Sequence, residues 1–115
     1  MQILIINGPN LNRLGKRKLE VYGSLSMAQI LLDIQRIWPD VHFVYKQSNH
    51  EGDLIDWIQA FEGDSIVLNA GGYSHTSVAL RDAVEECEKP VVEVHISDIT
   101  KREPFRQISL LTDVC

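Results

Sequence analysis

The chain has 115 residues, of which 44% are hydrophobic, and its formal net charge is −5 at pH 7. This length predicts one domain, residues 1–115, with a single hydrophobic core. Acidic and basic residues are interleaved along the chain, which argues against nucleic acid and membrane surfaces as partners. No apolar run approaches a membrane span, and two cysteines without metal-type spacing favour a reduced, cytoplasmic protein with packing thiols.

Short apolar runs alternate with helical patterns along the chain. The runs at 3–7, 42–46, 65–69 and 90–96 predict four strands, and apolar residues at three- and four-residue spacing predict a helix after each of the first three. Ser26 and Gln29 form a capping box for the first helix, and Thr76 is the expected cap of the third. This order predicts an α/β protein with a doubly wound parallel sheet, flavodoxin-like with strand order 2-1-3-4, covered by helices on both faces.

The ends of the predicted strands indicate where a ligand binds. In open α/β sheets ligands lie beyond the carboxyl ends of the strands. These ends are polar or glycine-rich here, at residues 7–10, 47–49, 69–72 and 95–97. The connection at residues 8–24 is unusually long, and such loops in a compact domain are usually functional or mobile.

Glu93 and His95 are two residues apart in the fourth predicted strand, and we expect them on one face of it. A carboxylate bonded to one ring nitrogen fixes the tautomer and leaves the other nitrogen to exchange protons. In an arbitrary protein such a pair is more often a satisfied structural pair. At the carboxyl end of a strand in this fold, we favour a catalytic pair.

Arg17 and Tyr22 lie together in the long connection. A nearby guanidinium stabilises a phenolate and lowers the pKa of the phenol, which would make Tyr22 a usable base at neutral pH. From the residues alone, an exposed arginine and a tyrosine packed on the surface is the more frequent outcome.

Two further segments have functional and ordinary interpretations. Residues 70–83 form a glycine turn that leads into a helix, whose first N–H groups suit an anion or hydroxyl groups, although an ordinary helix start looks the same. Arg102 and Arg106 suit a carboxylate-bearing ligand or form a solvated charged segment. His42 and His50 have no evident partners and are interpreted as structural or surface residues.

Five motifs in this chain occur in one series. They are INGPNLNRLG near the N-terminus, R-x-x-x-x-YG at 17–23, QSNHEGDLID at 47–56, NAGGYSHTSVALRDA at 69–83 and VEVHISDITKREPFR at 92–106. Over essentially its whole length the chain resembles the type II 3-dehydroquinate dehydratase family. The resemblance implies a flavodoxin-like hydro-lyase of the shikimate pathway that converts 3-dehydroquinate to 3-dehydroshikimate by anti elimination through an enolate. It also implies no metal, no organic cofactor, and trimers that assemble into a dodecamer.

The resemblance implies catalytic roles for five residues. Tyr22 is the base that removes a proton from C2, and Arg17 holds it as phenolate. Asn10 orders the water that stabilises the enolate oxygen. His95 is the general acid that protonates the departing C1 hydroxyl, and Glu93 orients it.

The resemblance also implies the residues that bind substrate. Asn69 and the backbone amides of Ile96 and Ser97 anchor the substrate carboxylate and neighbouring groups. His75 and Arg106 bind ring hydroxyls. Asp82 reaches across a trimer interface into a neighbouring site.

One difference from the family pattern concerns the C-terminal end. Family members usually continue past the position of Cys115 with a fifth strand and a closing helix, so we expect this end to be incomplete and the sheet edge to be exposed. Two alternatives therefore remain open: a truncated, inactive family member, and a flavodoxin-like ligand-binding or receiver module. A phosphate loop, which would favour the binding module, is absent from the sequence.

Overall fold

The computed structural model describes residues 1–16 and 25–115, and strands alternate with helices in the predicted order. The bounds are β1 Gln2–Asn7, α1 Met27–Ile37, β2 His42–Gln47, α2 Glu51–Ala60, β3 Ser65–Asn69, α3 Val78–Glu86 and β4 Val91–Glu93. Short 3-10 turns follow three of the strands, at Leu11–Arg13, Gly71–His75, Ile99–Lys101 and Pro104–Arg106. Within the described ranges, no helix is long and apolar enough to cross a membrane.

The four strands form one parallel sheet in the order β2-β1-β3-β4, which confirms the predicted flavodoxin-like order. The register aligns the carboxyl ends of the central strands, because Asn7 of β1 lies opposite both Gln47 of β2 and Asn69 of β3. The loops that follow these strands therefore leave the sheet at one edge. That edge is where the site was predicted.

One face of the sheet carries the main core. The helices α2 and α3 pack against each other and share a cluster of fully or almost fully buried apolar side chains with the sheet. Its members are Leu4, Ile6, Leu54, Ile58, Ile66, Leu68, Ala70, Leu80, Val84, Val91 and Leu111. Leu111 is the outlier in sequence, since it follows the last strand by many residues and still has no exposed surface. The chain after β4 is therefore tied into the core.

Helix α1 is bound less tightly. The capping box predicted at its start is confirmed, because the Ser26 hydroxyl accepts from the Gln29 N–H and the Gln29 side chain accepts from the Ser26 N–H. Its apolar stripe is only half-buried, and no residue of α1 is fully buried. Trp38, which follows the last residue of α1, is 53% exposed.

Two local predictions were wrong. The cap of α3 is Ser77 rather than Thr76: the Ser77 hydroxyl accepts from the Leu80 N–H and donates to Glu51 at the start of α2. Both residue types cap helices well, and the contact with Glu51 favours the second. The fourth strand was predicted over residues 90–96, but β4 ends at Glu93.

The end of β4 has a simple cause. The Val94 N–H still donates to the Leu68 carbonyl at 2.9 Å, and Leu68 is the last residue of β3 but one. Beyond it, β3 ends and offers no further partner. β4 is the outer strand of the described sheet, and its Val92 side chain is 53% exposed.

Candidate active site

A cavity of about 230 Å³ lies at the carboxyl edge of the sheet. Loops after β1, β3 and β4 and the 3-10 turns that follow β4 line it. The lining residues are Pro9, Asn10, Leu11, Asn69, Gly71, Gly72, His75, His95, Ile96, Ser97, Ile99, Arg102 and Arg106. Seven residues to which the resemblance assigned a role therefore line one cavity: Asn10, Asn69, His75, His95, Ile96, Ser97 and Arg106.

The loop after β2 does not line the cavity, although its sequence is as polar as the others. It supports the loop after β1 from behind. The Asn49 side-chain oxygen accepts from the Asn10 N–H at 3.0 Å, and the Gln47 side chain donates to the Gly8 carbonyl at 3.2 Å. Three of the four predicted strand ends thus form the cavity, and the fourth braces it.

The loops after β1 and β3 run in direct backbone contact. A Cβ atom on Gly8 would lie 2.5 Å from the Ala70 carbonyl oxygen, so only glycine fits there without a backbone shift. The Gly8 N–H donates to the Asn69 carbonyl at 2.7 Å. Asn10 has a left-handed backbone with φ 69°, a conformation that asparagine tolerates better than most residues. This wall is defined by the path of the main chain.

Asn69 is the last residue of β3 and is 4% exposed. Its side-chain oxygen accepts from the Gly71 N–H at 3.2 Å. The amide NH2 group is then left to donate, and Asn69 lines the cavity. This arrangement suits an anionic or carbonyl oxygen.

His75 lies on the 3-10 turn between β3 and α3. Its Nδ1 is 2.7 Å from the Ile108 carbonyl oxygen. Because a carbonyl only accepts hydrogen bonds, Nδ1 carries the proton, and Nε2 of the neutral ring is an acceptor. A ligand hydroxyl is a suitable donor to it.

Glu93 and His95 meet as predicted, although the fourth strand is shorter than predicted. His95 lies beyond the end of β4, and its Nε2 is 2.7 Å from Glu93 Oε2. The His95 side chain is 20% exposed, and the Glu93 side chain is 10% exposed. The pair therefore forms although only Glu93 lies within the strand.

Glu93 accepts from two more donors. The Thr112 hydroxyl donates to Glu93 Oε1 at 2.6 Å, and the Ser109 hydroxyl donates to Glu93 Oε2. Burial raises the pKa of Glu93, but hydrogen bonds from Ser109, Thr112 and His95 outweigh it, so the pKa lies below the ordinary 4.5. Glu93 is therefore ionised at neutral pH.

The cationic side of the cavity comes from Arg102 and Arg106. Arg102 donates to the Ser97 hydroxyl at 3.1 Å. Arg106 lies over the Phe105 ring at 5.0 Å, and its Nε is 2.7 Å from Glu103 Oε2, near enough for an ion pair but not aligned for an N–H···O hydrogen bond. Two guanidinium groups at one cavity suit a ligand with a carboxylate.

Several predicted residues are not part of the described cavity. Asp82 is exposed on α3 and does not line it. Arg17 and Tyr22 lie outside the residues that the structure describes. His42 and His50 are exposed and do not line the cavity, in agreement with their interpretation as surface residues.

Sequence reasoning missed two residues of the site. Ser109 and Thr112 hold Glu93 from 16 and 19 residues away along the chain. Hydroxyl residues after the last strand are common in any protein. Nothing in the local sequence distinguishes this pair, because the contact exists only once Leu111 is buried.

An all-parallel α/β sheet with a polar cavity at its carboxyl edge defines a flavodoxin-like protein with a small-molecule site. A sequence model of the family "Dehydroquinase class II" matches residues 1–115. The 3-dehydroquinate dehydratase of Exiguobacterium sp. is 51% identical over 100% of this chain and 81% of the relative. That of Chlorobaculum tepidum is 50% identical over 98% of this chain and 79% of the relative.

Solved structures agree with the sequence relatives. The type II dehydroquinase from Butyrivibrio crossotus has a TM-score of 0.95 at 42% identity, over 100% of this chain and 83% of that chain. The type II dehydroquinase from Propionibacterium acnes has a TM-score of 0.88 at 33% identity, over 97% of this chain and 80% of that chain. The chain belongs to the class II dehydroquinase family, which confirms the family, the fold and the enzyme class, a hydro-lyase, that its motifs predicted.

Proposed function

We propose that the chain removes water from 3-dehydroquinate to give 3-dehydroshikimate, the reaction for which its relatives are named. The hydrogen bond between His95 and Glu93 at the cavity is the observation that carries the proposal. An ionised carboxylate at one ring nitrogen stabilises the protonated imidazole, and the other nitrogen then delivers a proton. This is the arrangement that a general acid requires.

The elimination needs one proton removed and one supplied. In our proposal Tyr22, held as phenolate by Arg17, takes the proton from C2, and the electron pair of the C–H bond forms the enolate of the neighbouring ketone. Asn10 orders the water at the enolate oxygen. The enolate then collapses and expels the C1 hydroxyl, which takes the His95 proton and leaves as water. No metal or organic cofactor takes part in the proposed steps.

Binding of the substrate follows from the polar groups of the cavity. We assign the substrate carboxylate to Asn69 and the backbone amides of Ile96 and Ser97. The ring hydroxyls are assigned to Arg106 and His75, whose Nε2 is an acceptor in the neutral ring. The cationic groups of the cavity favour an anionic substrate by simple attraction.

The proposal extends to assembly and location. Asp82 is exposed on α3, which leaves it available to a neighbouring copy of the chain, and we propose that it completes a neighbouring site within trimers of a dodecamer. A cytoplasmic location in the shikimate pathway is part of the same proposal. Both cysteines are free, as expected for a reducing compartment, although Cys115 is exposed rather than packed.

A dehydration assay tests the proposed activity. Adding 3-dehydroquinate should produce the ultraviolet absorbance of a conjugated enone. Both His95→Ala and Tyr22→Phe should lower kcat by about 10²- to 10⁴-fold, as loss of a general acid or base does. The matched control is His42→Ala, the same substitution at an exposed histidine away from the cavity.

The outcomes separate the alternatives that the sequence left open. Unchanged turnover in His95→Ala would contradict the assignment of the acid. A folded chain that binds 3-dehydroquinate but yields no enone would be an inactive family member. Binding of flavin mononucleotide without dehydration would favour the ligand-binding module.

A further inference from the structure

Residues 108–113 (the 108–113 segment) contact His75 directly and reach His95 through Glu93, and none of them lines the cavity. At one end, the Ile108 carbonyl oxygen accepts a hydrogen bond from His75 Nδ1–H, with 2.7 Å between oxygen and nitrogen. Further along, Ser109 and Thr112 donate to Glu93, whose carboxylate accepts from His95. One short stretch of chain thus bonds one histidine ring directly and the other through Glu93.

The direction of each hydrogen bond is determined by its partners. The Ser109 oxygen accepts from the Leu111 N–H at 3.2 Å, so its own proton is available to Glu93. An ionised carboxylate has only acceptors, and it can therefore satisfy Ser109, Thr112 and His95 at once. His95 must then carry its proton on Nε2, whereas His75 carries its proton on Nδ1.

The segment is firmly anchored. Leu111 has no exposed surface and belongs to the main core. The Leu110 N–H donates to the Ser74 carbonyl at 2.7 Å, and the Leu110 carbonyl accepts from the Arg81 guanidinium at 2.7 Å. Arg81 also pairs with Asp113 through both of its terminal nitrogens. An anchored segment can hold hydrogen-bond partners in place, which a loose one cannot.

We propose that the 108–113 segment is the positioning element of the cavity, which holds His75 and His95 in opposite tautomers and so gives them different roles. His75 presents Nε2 as a fixed acceptor. His95 presents Nδ1, which accepts when the ring is neutral and donates when it is protonated. Ser109 and Thr112 are positioning residues, because they act through Glu93. The effect on catalysis rests on the proposed function, whereas the tautomers do not.

The surroundings of Glu93 leave no competing charge among the described residues that face it. Besides His95 and the two hydroxyls, its other titratable neighbour is Cys115, at the end of the chain. Partial desolvation of the thiol and the charge of Glu93 raise the pKa of Cys115 to about 11, so it stays neutral at neutral pH. The single negative charge at the ring of His95 therefore comes from Glu93.

The tautomers can be read in the wild-type chain without substrate. Long-range proton–nitrogen correlation spectra of the imidazole rings distinguish Nδ1–H from Nε2–H, and His75→Gln and His95→Gln assign the signals. We expect Nδ1–H for neutral His75 and Nε2–H for neutral His95. The same tautomer in both rings, or the reverse assignment, would overturn the proposal.

The hydroxyl pair is tested with a double variant, Ser109→Ala with Thr112→Val. We expect the Glu93 carboxyl signal to titrate at a higher pH than in the wild type, because the charged form loses two donors. In the assay kcat should fall by about ten- to a hundred-fold with little change in KM, because neither residue lines the cavity.

The conservative variant Thr112→Ser should keep the wild-type titration. Thr100→Val is the matched control, since the Thr100 hydroxyl also donates to a carboxylate at 2.6 Å, that of Asp98 rather than Glu93. It should leave the Glu93 titration unchanged. A Glu93 titration that does not move in the double variant refutes the positioning role, even where the dehydratase activity is intact. A wild-type chain that shows both expected tautomers but no dehydratase activity would refute the proposed function instead.

Discussion

The cavity wall after β1 and β3 is held by backbone, whereas the wall after β4 is held by side chains. On the first, Gly8 lies against the backbone of Ala70, and its N–H donates to the Asn69 carbonyl. On the second, His95 stands beyond a strand of only three residues and is held by Glu93 and the hydroxyls of the 108–113 segment. Sheet register is thus sufficient to build one wall but not the other.

This difference predicts how each wall responds to substitution. A backbone-held wall tolerates most side-chain changes and fails where a Cβ atom is added at a close approach. A side-chain-held wall can be disturbed from a distance, through residues that never touch a ligand. The following predictions test this contrast, from the largest expected effect to the smallest.

Leu68→Ala and Leu111→Ala compare the two walls most directly. Both leucines have no exposed surface and belong to the same core, so each variant should lose about 2–5 kcal/mol of unfolding free energy, measured by urea titration. Only Leu111→Ala should also alter the imidazole spectra of His75 and His95, because Leu111, unlike Leu68, belongs to the 108–113 segment and ties it to the core. Equal spectral changes in both variants would remove the distinction between the walls.

Gly8→Ala tests the backbone-held wall. The added Cβ would meet the Ala70 carbonyl oxygen at 2.5 Å, and the resulting backbone shift should cost about 1–3 kcal/mol of unfolding free energy. Gly52→Ala is the control, since a Cβ on this helical glycine meets nothing within 4 Å. We expect it to be neutral or to stabilise by up to about 1 kcal/mol. Similar losses for both glycines would contradict the close approach.

Glu93→Gln tests the side-chain-held wall through pH. The folded pKa of Glu93 lies below 4.5, so its contribution to stability is complete above pH 4.5 and is lost as pH falls through the folded value. Wild-type unfolding free energy should therefore fall more steeply on acidification than that of Glu93→Gln. Glu86→Gln, at an exposed site on α3, should keep the wild-type slope. Parallel curves for wild type and Glu93→Gln would contradict the depressed pKa.

Asp113→Asn should have the smallest effect. The Arg81 guanidinium lowers the pKa of Asp113 through its hydrogen bonds, but the Asp113 side chain is 70% exposed, and ion pairs at the surface contribute little. We expect a small fall in the urea midpoint and no change in the imidazole spectra, since Arg81 still bonds the Leu110 carbonyl. A large spectral change would mean that the ion pair, rather than Leu111, anchors the segment.

Local patterns in the sequence were sufficient for most of the fold. Apolar periodicity identified all four strands and three helices, and the capping box of Ser26 and Gln29 is present as predicted. The error at the cap of α3 shows the limit of local patterns. Thr76 and Ser77 are equivalent as caps, and the choice depends on Glu51, which is distant in sequence and near in space.

By itself the sequence determined the strand order and the edge of the sheet at which a site forms, because both follow from apolar patterns and parallel connections. Its motifs also determined the family. Tertiary structure alone decided where β4 ends, because that depends on where β3 ceases to offer partners. It also brought Ser109 and Thr112 to Glu93, through the burial of Leu111. Such contacts join residues far apart in the chain, and no local pattern encodes them.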